Sequence, residues 1–234
     1  FEARVRALTA PMEALDPNLV SSVRDIIAEV RSRGDQALLE FTQRFDQHPA
    51  ESVSELVFEG DALKAFESQI TGAERAAITE AAQRIRRYHE EQITPDWSIT
   101  DEHGSQLGQR VRPMQRVGLY VPGGKASYPS SVLMNTIPAK VAGVADVVMV
   151  APTPSGQVNP LVLAAASLAG VDQVVTVGGA QAVAALAYGT ESIRAVDKIV
   201  GPGNRYVAEA KRQVFGKVGI CLLYTSPSPR DNTT

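Results

Sequence analysis

Cysteine is almost absent. Cys221 stands alone in 234 residues, so no disulfide can close within the chain and no cysteine-based zinc knuckle or redox pair exists. A reducing compartment is the expected one. Runs of about 18 apolar residues, the least that a membrane-spanning helix needs, are also missing, which excludes a helical span. Lys and Arg number 23 against 26 Asp and Glu, for a net charge of -3. That balance lacks the basic surplus of a nucleic-acid or polybasic membrane partner. Histidine is scarce as well: His48, His89 and His103 are separated by distances that match no helical metal pair or zinc signature, so no metal is assigned. No arrangement of serine, histidine and acid stands out, and no catalytic residue is assigned.

What is present is a chain that is 44% hydrophobic and 21% charged, enough to bury one large core or two small ones. It opens at Phe1, without a methionine, inside sequence that already reads as structured, so any leader peptide is expected to be missing. Asp16-Pro17 reads as a cap and first turn, and Val20, Val23, Ile27 and Val30 then recur at helical spacing until Gly34. A second short helix carries Leu38, Phe41 and Phe45 on one face, and Leu56 to Phe58 reads as a short strand. Thr71 and Glu74 form a capping box, and the helix behind them places Ile78, Ala82, Ile85 and Tyr88 at core spacing. His89, Glu90, Glu91 and the arginines at 84, 86 and 87 read as the solvated face of that helix.

From Pro95 to Pro113 the composition shifts to a connection, with an edge strand expected near Leu107 to Val111. Beyond it a new rhythm begins. Apolar runs at Val117 to Val121, Val147 to Val150, Val174 to Val177 and Lys198 to Val200 alternate with helix-like segments near Ser131, Pro160, Gln181 and Tyr206. Strands apolar on both faces, alternating with helices, predict an α/β fold: a Rossmann-like parallel sheet with flanking helices, preceded by a mainly helical partial domain. The expected division is 1–115 for the helical part, 116–220 for the Rossmann-like domain and 221–234 for a tail. That tail carries two prolines, a polar end and no periodicity, and is expected to lack regular structure.

In an open parallel sheet the ligand crevice lies beyond the carboxyl ends of the strands. Four loops occupy that place: Tyr120-Val121-Pro122-Gly123-Gly124, Ala151-Pro152-Thr153-Pro154, Gly178-Gly179-Ala180-Gln181 and Gly201-Pro202-Gly203-Asn204. Glycines that open a helix expose amides suited to a phosphate or carboxylate. Neither helix-opening loop is a Gly-x-Gly-x-x-Gly fingerprint, and no acidic residue ends the second strand where a ribose partner normally sits. The alternative for each loop is a tight strand-to-helix turn without a ligand.

Several blocks resemble the histidinol dehydrogenase family: Arg116 to Gly124, Val177 to Ala182, Ala187 to Glu191 and Val196 to Asn204, within an ordered similarity from about Asp16 to Ile220. The resemblance implies a zinc- and NAD-dependent enzyme that oxidises L-histidinol twice, through histidinal, to L-histidine. It also implies a homodimer with its active site between subunits, in the cytoplasm, or in a plastid if the source is a plant. Carried over, the family's NAD contacts fall on Tyr120, Gln181 and Asn204. The family's Asp-x-x-Ala-Gly-Pro-Ser-Glu block, its Glu-His acid/base pair and its zinc ligands follow Ile220 and have no counterpart here. Beside that pattern, residues from Cys221 onward read as a wrong-frame or adapter-derived stretch rather than a natural tail. This fragment is therefore expected to be inactive by itself. The rival from another class is a non-catalytic α/β module that binds a nucleotide or another phosphate-bearing ligand in the same crevice.

Overall fold

The computed structural model describes residues 16–123 and 128–221. Gly124 of the first loop and residues 222–234 of the expected tail lie outside the described residues; Cys221 is exposed and outside any regular element. The centre is a sheet built from β1 (Val57–Glu59), β4 (Arg116–Tyr120), β5 (Asp146–Val150), β6 (Gln173–Val175), β7 (Lys198–Val200) and β8 (Gly219–Ile220), in the order β1-β6-β5-β4-β7-β8. All neighbours run parallel except β1, which pairs antiparallel with β6 through Val57↔Val175 and Glu59↔Gln173. The mixed α/β architecture expected from the alternation of strands and helices is thus the one observed. Beyond their polar first residues, Arg116, Asp146, Gln173 and Lys198, strands β4 to β7 carry no polar side chain but the Tyr120 phenol, because both faces are covered. Val117, Leu119, Val147 and Met149 face one core, whereas Tyr120, Val148, Val150 and Val175 face the other.

Helices α1 (Pro17–Arg33) and α2 (Asp35–Asp46) come first among the described residues, and α3 (Gly60–Lys64) and α4 (Gly72–Glu90) follow β1. The helices between the parallel strands are α5 (Pro129–Val141), α6 (Pro160–Ala169), α7 (Gly179–Tyr188) and α8 (Arg205–Val214). Apart from Gln181, helix α7 is apolar on every side, and a helix of that kind must be buried all round. Its inner side meets the sheet, and α1 and α2 cover its outer side. Their joint is polar at its rim, where Glu191 Oε2 accepts from Asp35 N at 2.7 Å. On the opposite face, α4 and the 3-10 turn Ala65–Gln69 cover α5 and α6. The helical first segment therefore shares cores with the sheet on both faces, and it supplies the sheet's antiparallel edge strand.

Three expectations need correction. Phe45 does not share the burial of Leu38: it is 47% exposed, because the last turn of α2 overlooks an open crevice rather than α7. Tyr88 is 65% exposed, whereas Ile78 is buried, because the end of α4 extends past the helices that cover its start. The edge strand lies at Gln106–Gln109 (β3) and pairs with an unforeseen strand at Trp97–Thr100 (β2) in a separate hairpin, exposed at all eight positions. Beside the end of α4, a groove of about 630 Å³ is lined by Ile93, Met114, Met134 and Pro138.

The amino ends of the parallel strands are closed by paired polar groups, although Arg116 Nε is buried without a partner. Arg116 pairs with Asp146, Asp197 Oδ2 accepts from Arg116 N at 2.9 Å, and Asp172 Oδ2 accepts from Val147 N at 2.7 Å. The carboxyl ends are left open.

Candidate functional site: the crevice where strand order reverses

From β4 the chain proceeds outward through β5 to β6, then returns to place β7 on the other side of β4. The connections leaving β4 and β7 diverge at that point, so a crevice must open between the two carboxyl ends. A cavity of about 720 Å³ lies there. All four loops singled out in the sequence reach it, through Pro122 and Gly123, Pro152 and Pro154, Gly179 to Gln181, and Asn204. Helices α1 and α2 supply a further wall, including Glu29, Phe41, Phe45 and Asp46. Phe41 and Phe45 stack there, with ring centroids 5.6 Å apart.

Tyr120, Gln181 and Asn204, distant in sequence, all line this cavity. Tyr120 ends β4 and is 3% exposed, and its phenolic oxygen accepts from Gly179 N at 3.0 Å. Burial pushes the phenol up to about 12, so it stays protonated through neutral pH. Gln181 lies in the first turn of α7 and is 1% exposed. Its Oε1 has no hydrogen-bond partner, a costly condition for a buried acceptor unless a ligand or water supplies the donor. Asn204 is the N-cap of α8: its Oδ1 accepts from Tyr206 N at 3.0 Å and from Val207 N at 3.1 Å. That acceptor is therefore committed to the helix, and the side-chain NH₂ is the group it can offer to a ligand. The amide of Gly179 is similarly taken by Tyr120.

The crevice floor depends on a close backbone approach. Gly201 has φ +108°, and a Cβ there would overlap the Tyr120 carbonyl oxygen, so only glycine lets the loop after β7 lie against the end of β4. Lys211, 1% exposed on α8, donates from Nζ to the Gly201 carbonyl and, at 3.4 Å, to that of Cys221. Removal from water lowers its ammonium pKa to about 8.

The sequence model of the histidinol dehydrogenase family matches residues 11–228. The chain belongs to the histidinol dehydrogenase family. It is 62% identical over 208 residues to the histidinol dehydrogenase of Pseudomonas aeruginosa, covering 89% of this chain and 47% of that protein. To that of Chromobacterium violaceum it is 57% identical over 223 residues, covering 95% and 51%. The crystal structure of histidinol dehydrogenase from Elizabethkingia anophelis superposes with a TM-score of 0.83 at 31% identity, over 94% of this chain and 49% of that one. The chain thus spans about half the length of the relatives it matches.

For a histidinol dehydrogenase chain, the residues present fit one expected cofactor and not the other. The orphaned Gln181 acceptor, the Asn204 amide and the glycine approach at Gly201 suit a hydrogen-bonding dinucleotide in the crevice. Zinc finds no such fit, since no group of three or more His, Cys, Asp or Glu side chains gathers among the described residues. Two residues were missed by sequence reasoning. Lys211 looks like one charge among several on an amphipathic helix, and nothing local marks it as buried. Asp46 ends a helix 74 positions before Tyr120, and only the packing of α2 on α7 brings it to the cavity.

Proposed function

We propose that this chain is the NAD-holding part of a histidinol dehydrogenase that acts in histidine biosynthesis. The complete enzyme would use NAD and zinc to oxidise L-histidinol in two steps, through histidinal, to L-histidine. It would work in the cytoplasm as a homodimer with its active site between subunits. The observation carrying this reading is the convergence of Tyr120, Gln181 and Asn204 on one crevice at the strand-order reversal of a chain in this family. Bound NAD supplies the acceptor for hydride. Residues of this chain hold and orient it: Gln181 Oε1 accepts a ligand hydrogen bond, the Asn204 NH₂ donates one, and the buried Tyr120 ring closes the floor. The Pro122, Pro152 and Pro154 rim presents rigid backbone without amide donors and keeps that side dry.

Turnover needs substrate held against the nicotinamide while a base removes its proton. Such positioning lowers a barrier by roughly 7 to 11 kcal/mol, and a placed general base contributes about a hundred- to ten-thousand-fold. No such base or substrate holder is assigned in this chain, so binding without turnover is the expected behaviour. The test supplies purified chain with zinc, NAD and L-histidinol and follows NADH absorbance, beside a chain continued after Ile220 with the family sequence. The expected result is turnover by the continued chain alone. Comparable zinc-dependent turnover by the 234-residue chain would overturn the assignment of roles.

A further inference from the structure

We propose that Asp46 determines cofactor choice: its carboxylate accepts hydrogen bonds from a ribose hydroxyl of the dinucleotide and excludes a ligand bearing a phosphate at that place. The inference rests on the crevice being a nucleotide site and adds to that reading a residue and a preference. In a doubly wound sheet the ribose is ordinarily taken by an acidic side chain at the end of the second strand. Here that strand is β5, and it runs into Ala151, Pro152 and Thr153, none of which carries a charge. The same crevice instead receives a carboxylate from outside the sheet. Asp46 is the last residue of α2 and lines the cavity beside Tyr120.

Two independent observations indicate that this group awaits a donor. Asp46 Oδ2 is buried without a hydrogen-bond partner, and no cation lies within ion-pair distance of it among the described residues. Across the same cavity the amide oxygen of Gln181, on a side chain 1% exposed, is likewise unpartnered. Both orphans are acceptors, so the ligand must present hydroxyl or N–H donors rather than bare phosphate oxygens at this end. Nearby charge reinforces the choice. Among the described residues, Asp25 and Glu29 of α1 line the cavity with Asp46, against one guanidinium, that of Arg44, which lies over the Phe45 ring at 5.3 Å to its centroid. A dianionic phosphate brought to Asp46 would meet like charge at a half-buried carboxylate. Burial raises the Asp46 pKa, a desolvation cost that a hydroxyl donated to the carboxylate by a ligand would offset.

The experiment is calorimetric titration of NAD and of NADP into the 234-residue chain and into Asp46→Asn and Asp46→Ser. Circular dichroism melts report whether each variant is folded. Asn keeps the shape and removes the charge, whereas Ser removes both the charge and the reach. The wild-type chain is expected to prefer NAD by roughly tenfold or more, the factor that one charged hydrogen bond supplies. Both variants are expected to bind NAD more weakly and NADP no worse, bringing the two affinities within about threefold. If NAD binds and the NAD-to-NADP ratio is unchanged in both variants, the role of Asp46 is overturned while the nucleotide reading stands. Equal affinities in the wild-type chain overturn it too. If neither nucleotide binds the folded wild-type chain, the nucleotide reading fails and takes this inference with it.

Discussion

Gly201 and Gly216 both sit at positive φ, +108° and +92°, yet only the first would press a side chain into another strand. The pair therefore separates conformational strain from close approach. Gly216→Ala is expected to lose roughly 1 kcal/mol, the ordinary cost of a left-handed L-residue. Gly201→Ala is expected to lose clearly more and to weaken NAD binding, read from urea midpoints and titration. Equal losses would show that the β4–β7 approach contributes nothing. Lys211 gives a pH signature at the same joint. Its ammonium is held at about 8 when folded against 10.5 in its ordinary state, so the unfolded chain binds more protons between those values. Stability should rise with pH across that window. Tyr120 acts with the opposite sign: folded at about 12 against 10.0, it keeps its proton while the unfolded chain loses one, so its contribution falls from pH 10 to 12. Lys211→Met should erase the rise between pH 8 and 10.5 and leave the fall above it, as followed by chemical denaturation at stepped pH.

Helix α4 shows how far local chemistry can be read ahead of structure. Thr71 Oγ1 accepts from Glu74 N at 3.2 Å, and Glu74 Oε2 accepts from Thr71 N at 2.8 Å, the reciprocal pair that the spacing predicts. Thr71→Ala should cost about 1 kcal/mol, measured by urea unfolding, because it frees one helix-start amide. No measurable loss would mean that water serves that amide equally well. The strands β4 to β6 were legible for a similar reason: an apolar run four or five residues long carries its own burial signal, and β7, with only Ile199 and Val200, follows from the rhythm of the others. Pairing carries no such signal. Nothing near Val57 says that it meets Val175, because register across 118 positions is decided by which edge remains free. The approach of Asp46 to the crevice was hidden for the same reason. One clue was present, in the surface of α7, apolar all round but for Gln181, which demanded a cover that the sheet alone could not provide.

Two of the molecule's openings are unlike in chemistry. One, at the carboxyl ends of the strands, is lined by unpartnered acceptors; the other, beside α5, is lined mainly by apolar groups such as Met134, which is 55% exposed. Exposed apolar surface of this kind binds hydrophobic dyes and promotes association. Met134→Lys should reduce ANS fluorescence severalfold and raise solubility, with little change in melting temperature, since the side chain is half out of the core already. Undiminished fluorescence would place the sticky surface elsewhere, with the exposed hairpin residues Trp97, Ile99 and Leu107 as the next candidates. The third layer formed by α1 and α2 has a consequence in time. Asp35 meets Glu191 across 156 positions of chain, so α1 and α2 leave a ribosome well before the helices they pack against. At about 5 to 20 residues per second, their apolar faces wait roughly 8 to 30 s for α7 and α8. For that interval the nascent chain offers a chaperone a target that the finished fold conceals.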